Sequence, residues 1–247
     1  MLAALPDSVC ILGLDTALAA CSAAVVRGGR TLAARHEEIG RGHAERLMPM
    51  IEEIMAEARG LGVDYPQLAA VAVTVGPGAF TGLRIGLSAA RALALALDRP
   101  VVPVTSFEAV AVASLTAAPL AVGALFAVLH DARRGEVYVE CQRYLGADDA
   151  GLAWVESVGA ARAVPLDAVL ETLDPGLSMA LGSGVPLLRA GLLDRGLQLR
   201  DEPCYPDAVW VAAIAARILR SGTVLVPARP LYLRAPDAKL PGGLTLA

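Results

Sequence analysis

Two periods alternate along this chain. Residues 9–14 (VCILGL) form an apolar run that stops at Asp15-Thr16, a second Ala/Val run fills 19–26, and Gly28-Gly29 follows. Apolar runs bounded by turn residues predict buried strands, so 9–38 reads as strand, turn, strand, turn, strand. From 43 to 59 the period changes. Leu47, Ile51, Ile54, Met55 and Ala58 recur at helical spacing, while Glu45, Glu52, Glu53 and Glu57 fill the other sides. Further strands are predicted at 68–76 and 101–105, and further helices at 80–97 and 206–222. Strands alternating with helices make the class α/β.

A weak echo links the two halves. ILGLDTALAACSAAVV (11–26) and FAVLHDARRGEVYVEC (126–141) each carry an apolar strand, an Asp at its end (Asp15, Asp131), a turn and a second strand. Two readings fit: two ordinary hairpins, or two related lobes facing a cleft. Residues 109–129 carry no charged side chain, yet Pro119 and Gly123 interrupt them. That break predicts a helix ending near Ala117 and a strand from about Gly123, rather than a membrane span.

Composition narrows the function classes. The chain is 55% apolar and 19% charged, with a net charge of −4. This ensures a substantial core and argues against a basic surface that would hold nucleic acid unaided. Four cysteines without a C-x-x-C pair read as a reduced, cytosolic protein.

The glycine-rich loop TVGPGAFTGLRIG (74–86) is the first candidate site. It lacks the lysine of a Walker A loop, and its glycines miss the G-x-G-x-x-G spacing. It either packs a tight strand-to-helix turn or offers N–H groups to a phosphate. In the helix behind it only Arg84 and Arg91 are ionisable, so that helix is either enclosed or faces another chain. Three histidines at 36, 43 and 130 give no metal spacing, and Ser183 is not in a nucleophile elbow. Asp15 and Asp131 could hold a hydrated magnesium ion. No glycine follows Asp15, however, and Arg133-Arg134 follow Asp131, so vigorous ATP turnover is not expected.

The blocks ILGLDTALAACSAAVV, HAERLMPMIEEIMAEA, VGPGAFTGLRIGLSAARALALALDRPVVPVTSFEAVA, DARRGEVYVE and PLYLRAP resemble the TsaB family in order and spacing. The resemblance implies a two-lobed actin-like, sugar-kinase-like (ribonuclease H-like) ATPase fold with a reduced second lobe. Residues 1–105 would form the first lobe, with the helix near 206–221 packed back on it, and 106–247 the second. It also implies a cytoplasmic, non-catalytic subunit that binds the catalytic TsaD and, with it, the ATPase TsaE. Together these transfer a threonylcarbamoyl group to the adenosine beside the tRNA anticodon. No cofactor of its own is implied, only ATP or ADP near the complex interface, with tRNA met through the complex and self-dimerisation when alone. The catalytic paralogue's metal-binding H-x-x-x-H falls here on Ser106 and Val110.

The same resemblance places a vestigial nucleotide cleft at Asp15, Thr16, Gly76, Gly78, Asp131 and Gly182. It places a docking surface on the helices at 43–58 and 80–97, with His43, Leu47, Ile51, Ile54, Met55, Phe80, Leu83, Arg84, Leu87, Ala90, Arg91 and Ala94. An active kinase-like ATPase and a metallopeptidase-like hydrolase are the alternatives.

Overall fold

The computed structural model describes residues 9–234. The first eight residues and the tail beyond 234 lie outside them. Strands β1 (Cys10–Asp15), β2 (Ala20–Arg27) and β3 (Arg30–Glu38) form an antiparallel meander, as the turn at Gly28-Gly29 predicts. Helix α1 (His43–Gly60) crosses to β4 (Leu68–Gly76). Then α2 (Phe80–Leu97) leads to β5 (Val101–Thr105) and α3 (Ser106–Ala117). β4 lies parallel to both β1 and β5, giving the sheet order β3-β2-β1-β4-β5.

The second half repeats this plan. β6 (Leu125–Arg133), β7 (Glu136–Ala147) and β8 (Ala153–Ser157) form another meander, with β9 (Arg162–Pro165) also paired to β7. Next come α4 (Val169–Thr172), β10 (Leu177–Leu181), α5 (Val185–Asp194), β11 (Gln198–Arg200) and α6 (Ala208–Arg220). The sheet order β11-β10-β6-β7-β8 is the first sheet's order with parallel strands again added beside the opening strand. Two ordinary hairpins would not share that topology, so the echo is structural. The helices differ in length: 18 residues each in α1 and α2 against 4 and 10 in α4 and α5.

Side-chain alternation sorts each sheet's two faces. In the first sheet Leu12, Leu14, Cys21, Ala23, Val25, Val71 and Val73 meet α1 and α2. Ile11, Ala24, Ala70 and Ala72 meet α6, and Ala109 and Val112 of α3 join them. The α6 face is built from smaller side chains, which lets that helix approach closely. The other side of α3, with Phe107, Val110 and Leu115, packs on Phe126, Val128 and Leu181 of the second sheet. Helices α3 and α6 therefore lie between the two sheets.

The uncharged run divides as expected: α3 ends at Ala117 and β6 begins at Leu125. Among the described residues one helix, Phe80–Leu97, is long and apolar enough to cross a membrane. Here it lies on β4 with Leu83, Leu87, Ala90 and Ala94 buried.

Core and surface positions on α1 should separate in equilibrium denaturation. Ile54 is 0% exposed, so Ile54→Ala is expected to cost about 2–5 kcal/mol. Met48, 43% exposed on the same helix, should cost within about 0.5 kcal/mol when changed to Ala.

Candidate functional site

The first half of the expected cleft is the turn after β1. Asp15 is fully buried. Its Oδ1 accepts from Thr74 Oγ1 at 2.5 Å and from the Ala17 N–H at 3.1 Å, while its Oδ2 has no partner. Burial pushes this carboxyl up to about 7, against the opposing pull of those two hydrogen bonds. Thr16, also buried, donates its hydroxyl to the Gly82 carbonyl at 2.7 Å.

The glycine loop lies directly on this turn. The Ala79 N–H donates to the Ala17 carbonyl at 2.7 Å. A Cβ at Gly78 would sit 2.2 Å from the Ala17 oxygen, and one at Gly82 would sit 2.2 Å from the Thr16 oxygen. Both distances are impossible for a real side chain, so these glycines serve backbone-to-backbone packing. Of the two readings of the loop, tight packing is the one found.

The second half is equally self-contained. Asp131 accepts from the Arg133 N–H at 2.7 Å and pairs with the Arg133 guanidinium at 3.0 Å. Its own N–H donates to Ser183 Oγ at 3.1 Å. Gly182 is buried, and a Cβ there would meet the Leu129 oxygen at 2.5 Å. Between the halves lies a cavity of about 240 Å³, lined by Leu18, Ala19, Gly40, Ala79, Asp131, Arg133, Ser183 and Tyr205. Cofactor pockets usually measure about 300–1,000 Å³.

This corrects the expected cleft. Only Asp131 of the six residues lines the cavity, because Asp15, Thr16, Gly76, Gly78 and Gly182 are taken up in packing. Ser106 and Val110 are both buried, and the Ser106 hydroxyl donates to the Pro77 carbonyl at 2.6 Å. His130 stacks on Phe107 with ring centroids 5.1 Å apart, and no hydrogen bond of ordinary geometry reaches its nitrogens. Burial pushes its pKa down to about 4, against a smaller opposing pull from the Ser106 backbone.

The expected docking residues also need correction. Leu47, Ile51, Ile54 and Met55 of α1, and Leu83, Leu87, Ala90 and Ala94 of α2, all point into the sheet and are no more than 4% exposed. His43 is buried too; its Nε2 lies 3.2 Å from the Ala20 carbonyl and ties the start of α1 to β2. Apolar helical stripes mark the face that meets the domain's own core, which is why these residues are covered. Phe80, Arg84 and Arg91 are exposed, and with them Ala44, Met48, Ser88, Ala92 and Leu95. Leu95 is 85% exposed. The docking set implied by the resemblance leaves these last positions out, although reading the helical period outward from the core stripe points to them.

Two measurements check this geometry. Gly82→Ala should lower stability by about 1–3 kcal/mol in urea, although alanine is the better helix former. Asp15 gains a proton on folding between its unfolded pKa near 3.8 and its folded value of about 7. Its contribution to stability is therefore complete below pH 3.8 and is lost as pH rises to about 7. Asp15→Asn keeps the acceptor but carries no charge. Its melting temperature relative to the unchanged chain should climb across that window and level off above it.

Residues 35–153 match the family described as TsaD, tRNA N6-adenosine threonylcarbamoyltransferase. A named transferase of that kind from Erythrobacter litoralis is 38% identical over 120 residues, covering 42% of this chain and 34% of that protein. The crystal structure of a Pseudomonas aeruginosa protein, described as similar to peptidase YeaZ, superposes with a TM-score of 0.73 at 31% identity. It covers 92% of this chain and all of that one. The tRNA threonylcarbamoyladenosine biosynthesis protein TsaB of Escherichia coli is 35% identical over 240 residues, 94% of this chain and 98% of that protein. With identity of that level sustained from end to end on a shared two-lobed fold, this chain belongs to the TsaB family.

Proposed function

We propose that this chain is a non-catalytic subunit in the biosynthesis of threonylcarbamoyladenosine on tRNA, docking a TsaD-type transferase through the outward faces of α1 and α2. The names of its relatives support the pathway. The absence of catalysis rests on two features of this chain. The turn at Asp15 is closed by backbone, and the family resemblance puts the buried Ser106 and Val110 where the catalytic paralogue carries metal-binding histidines.

One observation carries the docking reading: among the described residues, the paired outer faces of α1 and α2 are left open with Met48, Phe80 and Leu95 exposed. A TsaD-type partner suits this face because the matched region, 35–153, contains both helices. A relative with the same helical pair can oppose it across a pseudo-twofold axis. The ATPase TsaE would join that pair, ATP or ADP would bind near the shared interface rather than in the small cavity here, and tRNA would be met through the complex in the cytoplasm. A second copy of the chain would take the sister's place when it is absent.

Ser88 lies exposed in the middle of α2. Ser88→Arg should leave folding unchanged yet weaken co-elution with the TsaD-type subunit by at least about tenfold. It should also lower threonylcarbamoyladenosine formed on tRNA by the combined subunits. Unchanged co-elution, or ATP turnover at ordinary enzyme rates by the isolated chain, would overturn the reading.

A further inference from the structure

Residues beyond α6 return to the other side of the first sheet and then cross to the second. Ala228 is buried in the α1–α2 core, and its carbonyl accepts from Arg91 Nη2 at 2.5 Å. The Leu231 N–H donates to the Val75 carbonyl at 2.7 Å, holding the chain against the end of β4. Tyr232 stacks on Phe80 with centroids 4.9 Å apart. The Tyr232 hydroxyl accepts from Arg84 Nε at 3.1 Å, while the Arg84 guanidinium carbon sits 3.7 Å from the Phe80 centroid. Arg234 then bonds the Ala132 carbonyl at 3.2 Å and the Glu136 carboxylate at 2.8 Å, in the β6–β7 hairpin. This strap fastens α2 to the second sheet.

We propose that the strap is also part of the docking surface: Tyr232, Phe80 and Arg84 form one anchor, and its guanidinium receives a carboxylate of the TsaD-type sister subunit. The inference rests on the docking reading above. A strap serving only to hold the lobes together would cover its rings, yet Phe80 is 40% and Tyr232 39% exposed. Arg84 is exposed as well.

The trio is ordered before any partner arrives, so binding loses little side-chain freedom there. Aromatic rings beside arginine are the composition that concentrates binding energy at interfaces. Only Nε of Arg84 is engaged; among the described residues neither Nη has an acceptor. Two parallel N–H donors in a fixed plane match a carboxylate. Helix α2 carries no acidic residue of its own to compete. A second copy of this chain is the poorer occupant, because three of its four α1 carboxylates, Glu52, Glu53 and Glu57, are already held by Tyr65, Arg46 and Arg35, which leaves Glu45.

The test is a titration of the purified TsaD-type subunit against full-length variants, with circular dichroism and melting temperature recorded for each. Tyr232→Ala and Arg84→Gln should each weaken binding about 30-fold. Tyr232→Phe, which keeps the ring stack, should lose no more than about threefold. Added salt should erode the affinity of the unchanged chain more than that of Arg84→Gln.

If Tyr232→Ala and Arg84→Gln bind normally while Ser88→Arg fails, the trio lies outside the docking face; the inference falls and the docking reading stands. If Ser88→Arg also binds normally, the docking reading itself falls. Equal salt sensitivity of the unchanged chain and Arg84→Gln would remove the carboxylate. A loss confined to self-association would make a second copy the occupant and overturn the proposal. Should Tyr232→Ala lose its fold, the exposed Arg84→Gln decides the outcome.

Discussion

The contact of backbone on backbone between the loop at 76–82 and the turn at 15–17 governs the rest of the first lobe. It works only because Gly78 and Gly82 have no side chain to keep the Ala17 and Thr16 oxygens away. Once the loop is seated, α2 can leave in one direction, with Leu83, Leu87, Ala90 and Ala94 against the sheet and Arg84 and Arg91 outward. The same contact seals Asp15 from water. A buried carboxylate with an unpaired oxygen is costly when charged. Its folded pKa of about 7 is the expression of that cost. The feature that aims the helix therefore also removes the carboxylate from solution chemistry.

Much of this fold is legible in the sequence, and the boundary of legibility has a physical basis. Strands and helices from 9 to 117 follow from runs of Val, Ile, Leu and Ala and from their change of period, because burial of those side chains dictates local structure. The split of the uncharged stretch at Pro119 is legible for the same reason. The direction of a helix's outer face is less so. Leu47 and Ile54 form the most conspicuous stripe on α1, and a conspicuous stripe is as readily a domain's own core as an interface. What decides is the sheet beneath, which only the three-dimensional pairing reveals.

Non-local geometry hides the candidate site still more. Asp15 and Asp131 occupy equivalent ends of equivalent strands, so sequence pairs them naturally. Whether they share a cleft depends on loops elsewhere: Ala79 closes over one, and Arg133 turns back on the other. The role of Tyr232 is equally invisible locally, since its partners Phe80 and Arg84 are more than half the chain away. The two halves keep one topology while differing in helix length, so among the described residues the broader helical surface lies on the first lobe.

The placement of α6 has a consequence for biogenesis. Much of one face of the first sheet, including Ile11, Ala24, Ala70 and Ala72, is covered by α6 residues from Ala208 to Leu219, with α3 beside them. The first sheet is thus complete once β5 has emerged from the ribosome, yet the greasy surface that α6 covers stays naked until residues 208–220 have followed. Such late closure favours slow maturation and exposes the nascent chain to aggregation and to chaperones. Shortening the message before α6 would yield an insoluble fragment rather than an independent first lobe.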